Sequence, residues 1–176
     1  FVPSQTRLRA IELVEYPPPA TVEYFTDPWA YPVPGPQGLP LTKPPYKRVT
    51  AIDLNHGEQV WMSPHGDGPR NHRALRALNL PALGGHSGPN AGGALVTKTL
   101  SIVNSGGRYV SDEVEGARTL VAYRKDTGDY LGSVSLPAVP YGNPITYVHE
   151  GRQYVLVAVG GGGGAAAPEL VALALP

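Results

Sequence analysis

The stretch "VTAIDLNHGEQVW", Val49 to Trp61, decides the fold, because the chain writes it a second time as "LVAYRKDTGDYLG", Leu120 to Gly132. Each copy places an apolar residue two positions before an alanine, Ala51 or Ala122. A polar turn follows and ends in glycine, Gly57 or Gly128; next comes an acidic residue, Glu58 or Asp129, before apolar residues resume. The alternation has the period of two that belongs to sheet, and the glycines stand where a tight turn needs positive φ. The pattern is strand, turn, strand. "LVALALP", Leu170 to Pro176, repeats the opening strand without the turn.

Working outward, composition supports this pattern. Of 176 residues 41% are hydrophobic, enough for a core, while 22 Gly and 20 Pro together make nearly a quarter of the chain. Such punctuation opposes long helices and favours short strands joined by many turns. Formal net charge is zero, so there is no global pull toward nucleic acid or an anionic membrane. No apolar run approaches the length of a membrane-spanning helix. Cysteine is absent, which excludes disulfides and thiolate metal sites. The chain starts at Phe1 without an initiator Met or a leader pattern, and reads as a processed product or an excerpt.

The expected organisation runs in five stretches. Residues 1–46 form a Pro-rich irregular excursion holding eleven of the twenty prolines, ordered rather than disordered because it is also rich in aromatics. Residues 47–64 are the first repeat, 65–92 an inserted loop, 93–137 the second repeat and 138–176 the closing strands. The loop's one helical hint is "NHRALRALNL", where Leu75, Leu78 and Leu80 would share a short apolar face over a turn or two. Hairpins are expected to turn at Asn55 to Gly57, at Asp126 to Gly128 and at Glu150 to Gly151. Ala51 and Ala122 lie 71 residues apart, and Ala122 and Ala172 lie 50 apart. With an insertion lengthening the first interval, that period suits the four-stranded blades of a β-propeller.

Ala51, Asp53, Gly57 and Trp61 stand at the spacing A-x-D-x-x-x-G-x-x-x-W, which resembles the tryptophan-docking motif of quinoprotein dehydrogenases. The second copy keeps Ala122, Thr127 and Gly128 but has Arg124 for the Asp and Gly132 for the Trp. The longer strings "GLPLTKPPYKRVTAIDLNHGEQVW", "NAGGALVTKT" and "GNPITYVHEGRQYVLVAVGGGG" with "ELVALALP" resemble, in order, the C-terminal third of glucose-dehydrogenase-type quinoproteins. The resemblance implies an all-β, eight-bladed propeller of which this chain supplies the last two to three blades, with a docking Trp packing on the alanine and glycine of a neighbouring blade. It further implies oxidation of a sugar or alcohol by hydride transfer to pyrroloquinoline quinone, assisted by Ca²⁺ or Mg²⁺, in the bacterial periplasm. Attachment to the inner membrane would come through segments outside this chain. The catalytic base and the metal ligands are expected upstream; the partners are the remaining blades and the substrate.

Two places carry over to the family's active site. Asn90, Ala91, Gly92 and Gly93 match the cofactor-facing segment, with Ala91 where methanol-oxidising relatives carry a Trp. Gly161, Gly162 and Gly163 match the substrate entrance, with Gly162 where glucose-oxidising relatives carry a His, a departure that counts against glucose itself. Other candidates are weaker. His65, Asp67, His72 and His86 are metal-ligating types without a regular ligand spacing. Arg70, Arg73 and Arg76 would suit phosphate but read more simply as a solvated loop face. Gly160 to Gly164 lacks the Lys-Ser/Thr of a phosphate loop. The competing readings are a non-catalytic propeller scaffold and an inactive fragment.

Overall fold

The computed structural model describes residues 1–15, 18–19, 21–22, 24–26, 31–85, 93–105, 118–161 and 167–174. The chain divides into a unit formed by Phe1–Gln5 with Pro44–Pro176 and a second unit, Thr6–Lys43. It opens on β1 (Val2–Gln5), which belongs to the larger unit. The irregular excursion expected over 1–46 therefore begins only after Gln5. Pro3 misled the sequence reading, since proline is tolerated in an edge strand, and β1 is one.

In the smaller unit, β2 (Arg9–Ala10), β3 (Leu13–Glu15), β4 (Tyr24–Thr26) and β5 (Tyr31–Pro32) form two short antiparallel ladders, β2 with β5 and β3 with β4. Val33 extends the outer ladder by donating its N–H to the Leu8 carbonyl at 3.2 Å. Each ladder is two or three residues long.

The larger unit continues with β6 (Lys47–Asp53) and β7 (Glu58–Pro64), which join β1 in the first sheet, order β1-β6-β7. Then come β8 (Ala94–Val96), β9 (Leu100–Asn104), β10 (Thr119–Arg124) and β11 (Tyr130–Ser135), a four-stranded antiparallel meander. The last sheet comprises β12 (Pro140–His149), β13 (Arg152–Val159) and β14 (Glu169–Ala174). All three expected turns stand where the sequence put them. The β12–β13 turn is the tightest: His149 pairs with Arg152, and both turn residues have positive φ, Glu150 at 50° and Gly151 at 74°. That is the primed geometry whose twist matches the flanking strands.

The meander lies between the other two sheets, and its period of two assigns each residue a side. Ile102, Leu120 and Ala122 face the last sheet, packing with Leu136, Ala138, Val155, Val157 and Val159. Val103, Val121 and Tyr123 face the first sheet, packing with Val49, Ala51 and Trp61.

The inserted loop holds 3₁₀ turns at Gly68–Asn71 and Arg76–Leu78 rather than an amphipathic helix. Asn79, in the left-handed region, ends the second, and Leu78 stays exposed. The loop's neck carries its structure instead. The N–H groups of Leu83, Gly84 and Gly85 donate to the carbonyls of Asp67, Gly66 and His65, and Tyr46 N–H donates to the Leu83 carbonyl. Gly84 is pressed on the β6 backbone at φ +74°, where a Cβ would lie 2.6 Å from the Lys47 nitrogen.

Candidate functional site

Trp61 is anchored by its own hairpin and by the next. Ala51 is its partner across the β6–β7 ladder, and a bulge follows between Ala51 and Ile52. The second hairpin repeats this: Ala122 pairs with Gly132, and a bulge follows between Ala122 and Tyr123. Gly57 donates its N–H to the Asp53 carbonyl at 2.8 Å, as Gly128 does to Arg124 at 2.9 Å. The two copies share register, bulge and turn.

They differ in what their tips meet. The Trp61 indole is buried over the tip of the second hairpin, its Nε1–H donating to the Lys125 carbonyl at 2.8 Å. Ser63 Oγ donates to the Gly128 carbonyl beside it. A Cβ on Gly128 would stand 2.6 Å from Trp61 Cδ2, so only glycine admits the ring there. Among the described residues, no atom lies within 4 Å of a Cβ built on Gly57 or Gly132. The structure thus brings Trp61 and Gly128 together. Ala122 is not part of that contact, because the alternation of β10 turns it to the opposite face. Asp53 serves its own turn, accepting from Asn55 N–H at 2.8 Å and pairing with His56 Nδ1 at 2.8 Å; chiefly through His56, these bonds hold its pKa below the usual carboxylate range.

Beside the indole lies a polar chain that the sequence did not reveal. His65, just past β7, is 2% exposed and spans from the first sheet to the meander. Tyr123 OH donates to the Pro64 carbonyl at 3.0 Å and lies 2.9 Å from His65 Nδ1. His65 Nε2 lies 3.1 Å from Ser105 Oγ, which accepts from Thr119 Oγ1 at 2.9 Å. Burial, with a smaller contribution from the charge on Lys47, holds the His65 pKa down to about 4. Burial also raises that of Tyr123. Both ring nitrogens of His65 are engaged in this network. No local signal announces it, since His65 and Tyr123 are 58 residues apart.

Of the residues matched to an active site, Asn90, Ala91, Gly92, Gly162 and Gly163 lie outside the described residues, as does His86. Gly93 directly precedes β8, and its N–H donates to Asn143 Oδ1 at 2.9 Å. Gly161 follows β13 at φ +74°, against Pro168. His72 and Arg70 sit in the inserted loop, Arg70 paired with Asp67 at 3.2 Å. Among the described residues no three His, Asp or Glu gather as a metal site, and no helix is long and apolar enough to cross a membrane.

Comparison with known proteins decides the family. The family model described as "Glucose/ethanol/alcohol dehydrogenase, beta-propeller domain", of the PQQ type, matches residues 16–155. The chain belongs to this family. It is a part of a quinoprotein β-propeller domain. The glycerol dehydrogenase large subunit of Gluconobacter thailandicus is 34% identical over 143 residues, 79% of this chain and 18% of that protein. The quinoprotein glucose dehydrogenase of Escherichia coli (strain K12) is 30% identical over 132 residues, 72% of this chain and 15% of that protein. The quinohemoprotein alcohol dehydrogenase of Comamonas testosteroni has the same fold at a TM-score of 0.50 and 21% identity, over 86% of this chain and 18% of that one. The chain thus spans less than a fifth of the length of the relatives it matches.

Proposed function

We propose that the chain supplies late blades of a quinone-dependent dehydrogenase that oxidises a sugar or another alcohol in the bacterial periplasm. The observation that carries this reading is the family match over 16–155, which takes in both hairpins and the Asn90–Gly93 segment. Pyrroloquinoline quinone, when bound, would supply the oxidant, taking up the two electrons of the substrate's C–H bond as a hydride. On this reading Asn90 to Gly93 lie along the cofactor and Gly161 to Gly163 at the substrate entrance. Ca²⁺ or Mg²⁺ would take its ligands from blades outside this chain. Trp61 on Gly128 fastens one blade to the next, as in tryptophan docking, while Ala51, Asp53 and Gly57 build the hairpin that presents it.

A second reading is a non-catalytic propeller scaffold, while Gly132 in place of a docking Trp and Gly162 in place of a His point instead toward an inactive fragment. The dehydrogenase and scaffold readings are separated by titrating a polypeptide that carries this segment with all remaining blades, using the quinone and Ca²⁺ or Mg²⁺. A dye-reduction assay over sugars and polyols follows. Uptake of quinone with substrate-dependent dye reduction is expected; a complete ring that takes up no quinone would leave the scaffold reading. The chain alone is expected to do neither, because a propeller's site on its axis draws side chains from most blades.

A further inference from the structure

The inserted loop has no task in the chemistry proposed above, yet its neck holds it firmly. Leu83, Gly84 and Gly85 are bonded back to Asp67, Gly66 and His65, and the His65 N–H donates to the Lys47 carbonyl at 2.9 Å. Beyond the neck, residues 71–81 stand in solvent, with only His72, Leu75 and Leu80 half-buried. The turns of this exposed run sort its side chains. The N–H groups of Leu75 and Arg76 donate to the His72 carbonyl, and that of Leu78 donates to the Leu75 carbonyl. Turns of this kind bring residues three apart to one side. Arg73 and Arg76 therefore form one row, and Leu75 and Leu78 form another beside it.

Arg70 is tied to Asp67, but Arg73 and Arg76 have no acidic partner among the described residues. Leu78 is 61% exposed. Across 63–85 three arginines face a single aspartate, with no Lys or Glu, on a chain whose formal net charge is zero. Whatever meets this surface has to be anionic and has to accept a bare aliphatic side chain. The same segment contains no Phe, Tyr or Trp, whereas protein interfaces draw their anchors from aromatic residues and use leucine sparingly. A phospholipid headgroup layer needs no matching shape. It offers phosphates to guanidinium groups and an acyl boundary to an aliphatic side chain. We propose that the tip of the inserted loop rests on the surface of an anionic phospholipid bilayer, with Arg73 and Arg76 among the headgroup phosphates and Leu78 at the acyl boundary. Each basic residue near such a surface strengthens partitioning only about fivefold, so the contact orients the molecule on a membrane rather than anchoring it. The rigid neck keeps the ordering cost of that contact low.

The test uses a polypeptide carrying this segment with all remaining blades and no membrane-spanning segment. It is mixed with sedimentable vesicles of phosphatidylcholine alone, or of phosphatidylcholine and phosphatidylglycerol in equal parts. No quinone is added, so the outcome is independent of the quinoprotein reading. Wild type is expected to sediment with the anionic vesicles and not with the neutral ones, and to be released as salt rises. Arg73→Gln combined with Arg76→Gln should weaken partitioning about 25-fold, and Leu78→Ser about tenfold. Melting midpoints should not move, because all three side chains are exposed. Arg73→Lys combined with Arg76→Lys keeps the charge and should stay within about twofold of wild type. Sodium phosphate should release the protein no better than sodium chloride of equal ionic strength. Stronger release would show that the loop takes free phosphate, and would overturn the proposal. A wild type that ignores anionic vesicles would also overturn it and leave the loop to an acidic protein. So would vesicle binding that the Gln and Ser variants do not reduce.

Discussion

The meander's two faces are joined to their neighbours by different chemistry. Toward the last sheet the buried contact is aliphatic, with Ile102 and Leu120 against Val155, Val157 and Val159, and Asn104 bonded to the Gly142 carbonyl at its end. Toward the first sheet the contact contains an indole, a phenol and an imidazole, each with a defined hydrogen-bond partner. Apolar burial is non-directional and tolerates sliding, whereas hydrogen-bonded groups out of water fix one arrangement. The first seam is specified and the second is merely cohesive. The two hairpins repeat the lesson, since identical registers end in a filled contact at Gly128 and open space at Gly57.

Removing the indole should break the contrast most. Trp61→Ala is expected to cost about 4 kcal/mol, the range for emptying a large aromatic site. Because the receiving turn lies in the same chain, urea unfolding of the chain itself measures it; a loss under about 1 kcal/mol would show that the indole does not hold the seam.

Acid should act on the first seam and spare the second. Folded His65 stays neutral down to about pH 4, whereas the unfolded chain takes up the proton at the ordinary 6.5. Protons therefore favour the unfolded chain across that window. Stability from this group is complete above pH 6.5, falls by about 3 kcal/mol as the pH drops to 4, and falls no further below that. Urea midpoints taken across the window should show the slope, and His65→Gln should flatten it.

The paired glycines sharpen the comparison further. Gly128→Ala should cost about 2–3 kcal/mol, because the new Cβ adds a collision with Trp61 to a left-handed backbone. Gly57→Ala, at φ +71° with open space around it, should cost about 1 kcal/mol from backbone strain alone. In a Trp61→Ala background the two penalties should converge, which the same urea curves would reveal.

What the sequence made legible was local. Gly57, Gly128 and Gly151 marked their turns because a positive φ is a property of the residue and its immediate neighbours. Trp61 was readable because its spacing to Gly57 and Ala51 is set within one hairpin. The strands of Thr6–Lys43 were not, since pairs of two or three residues leave no periodicity. The partnership of His65 with Tyr123 and Ser105, and that of Gly93 with Asn143, were hidden for a different reason. Each joins residues far apart in the chain, and no pattern at either end specifies the other. The expected active-site segment was visible only through family resemblance, and most of it falls outside the described residues.

The two-residue turn at Glu150 and Gly151 also bears on how the chain reaches this state. Closing β12 on β13 restrains almost no intervening chain, whereas the Trp61–Lys125 bond links residues 64 apart. Loop-closure entropy rises with the logarithm of the separation, so the first event is cheap and the second must wait for other contacts to shorten it. A hairpin of this kind forms in about 1–10 μs. As a nascent chain leaves the ribosome, the first hairpin emerges before the turn that will receive its indole. The Trp61 indole therefore waits through the synthesis of the next 64 residues for the carbonyl it will bond.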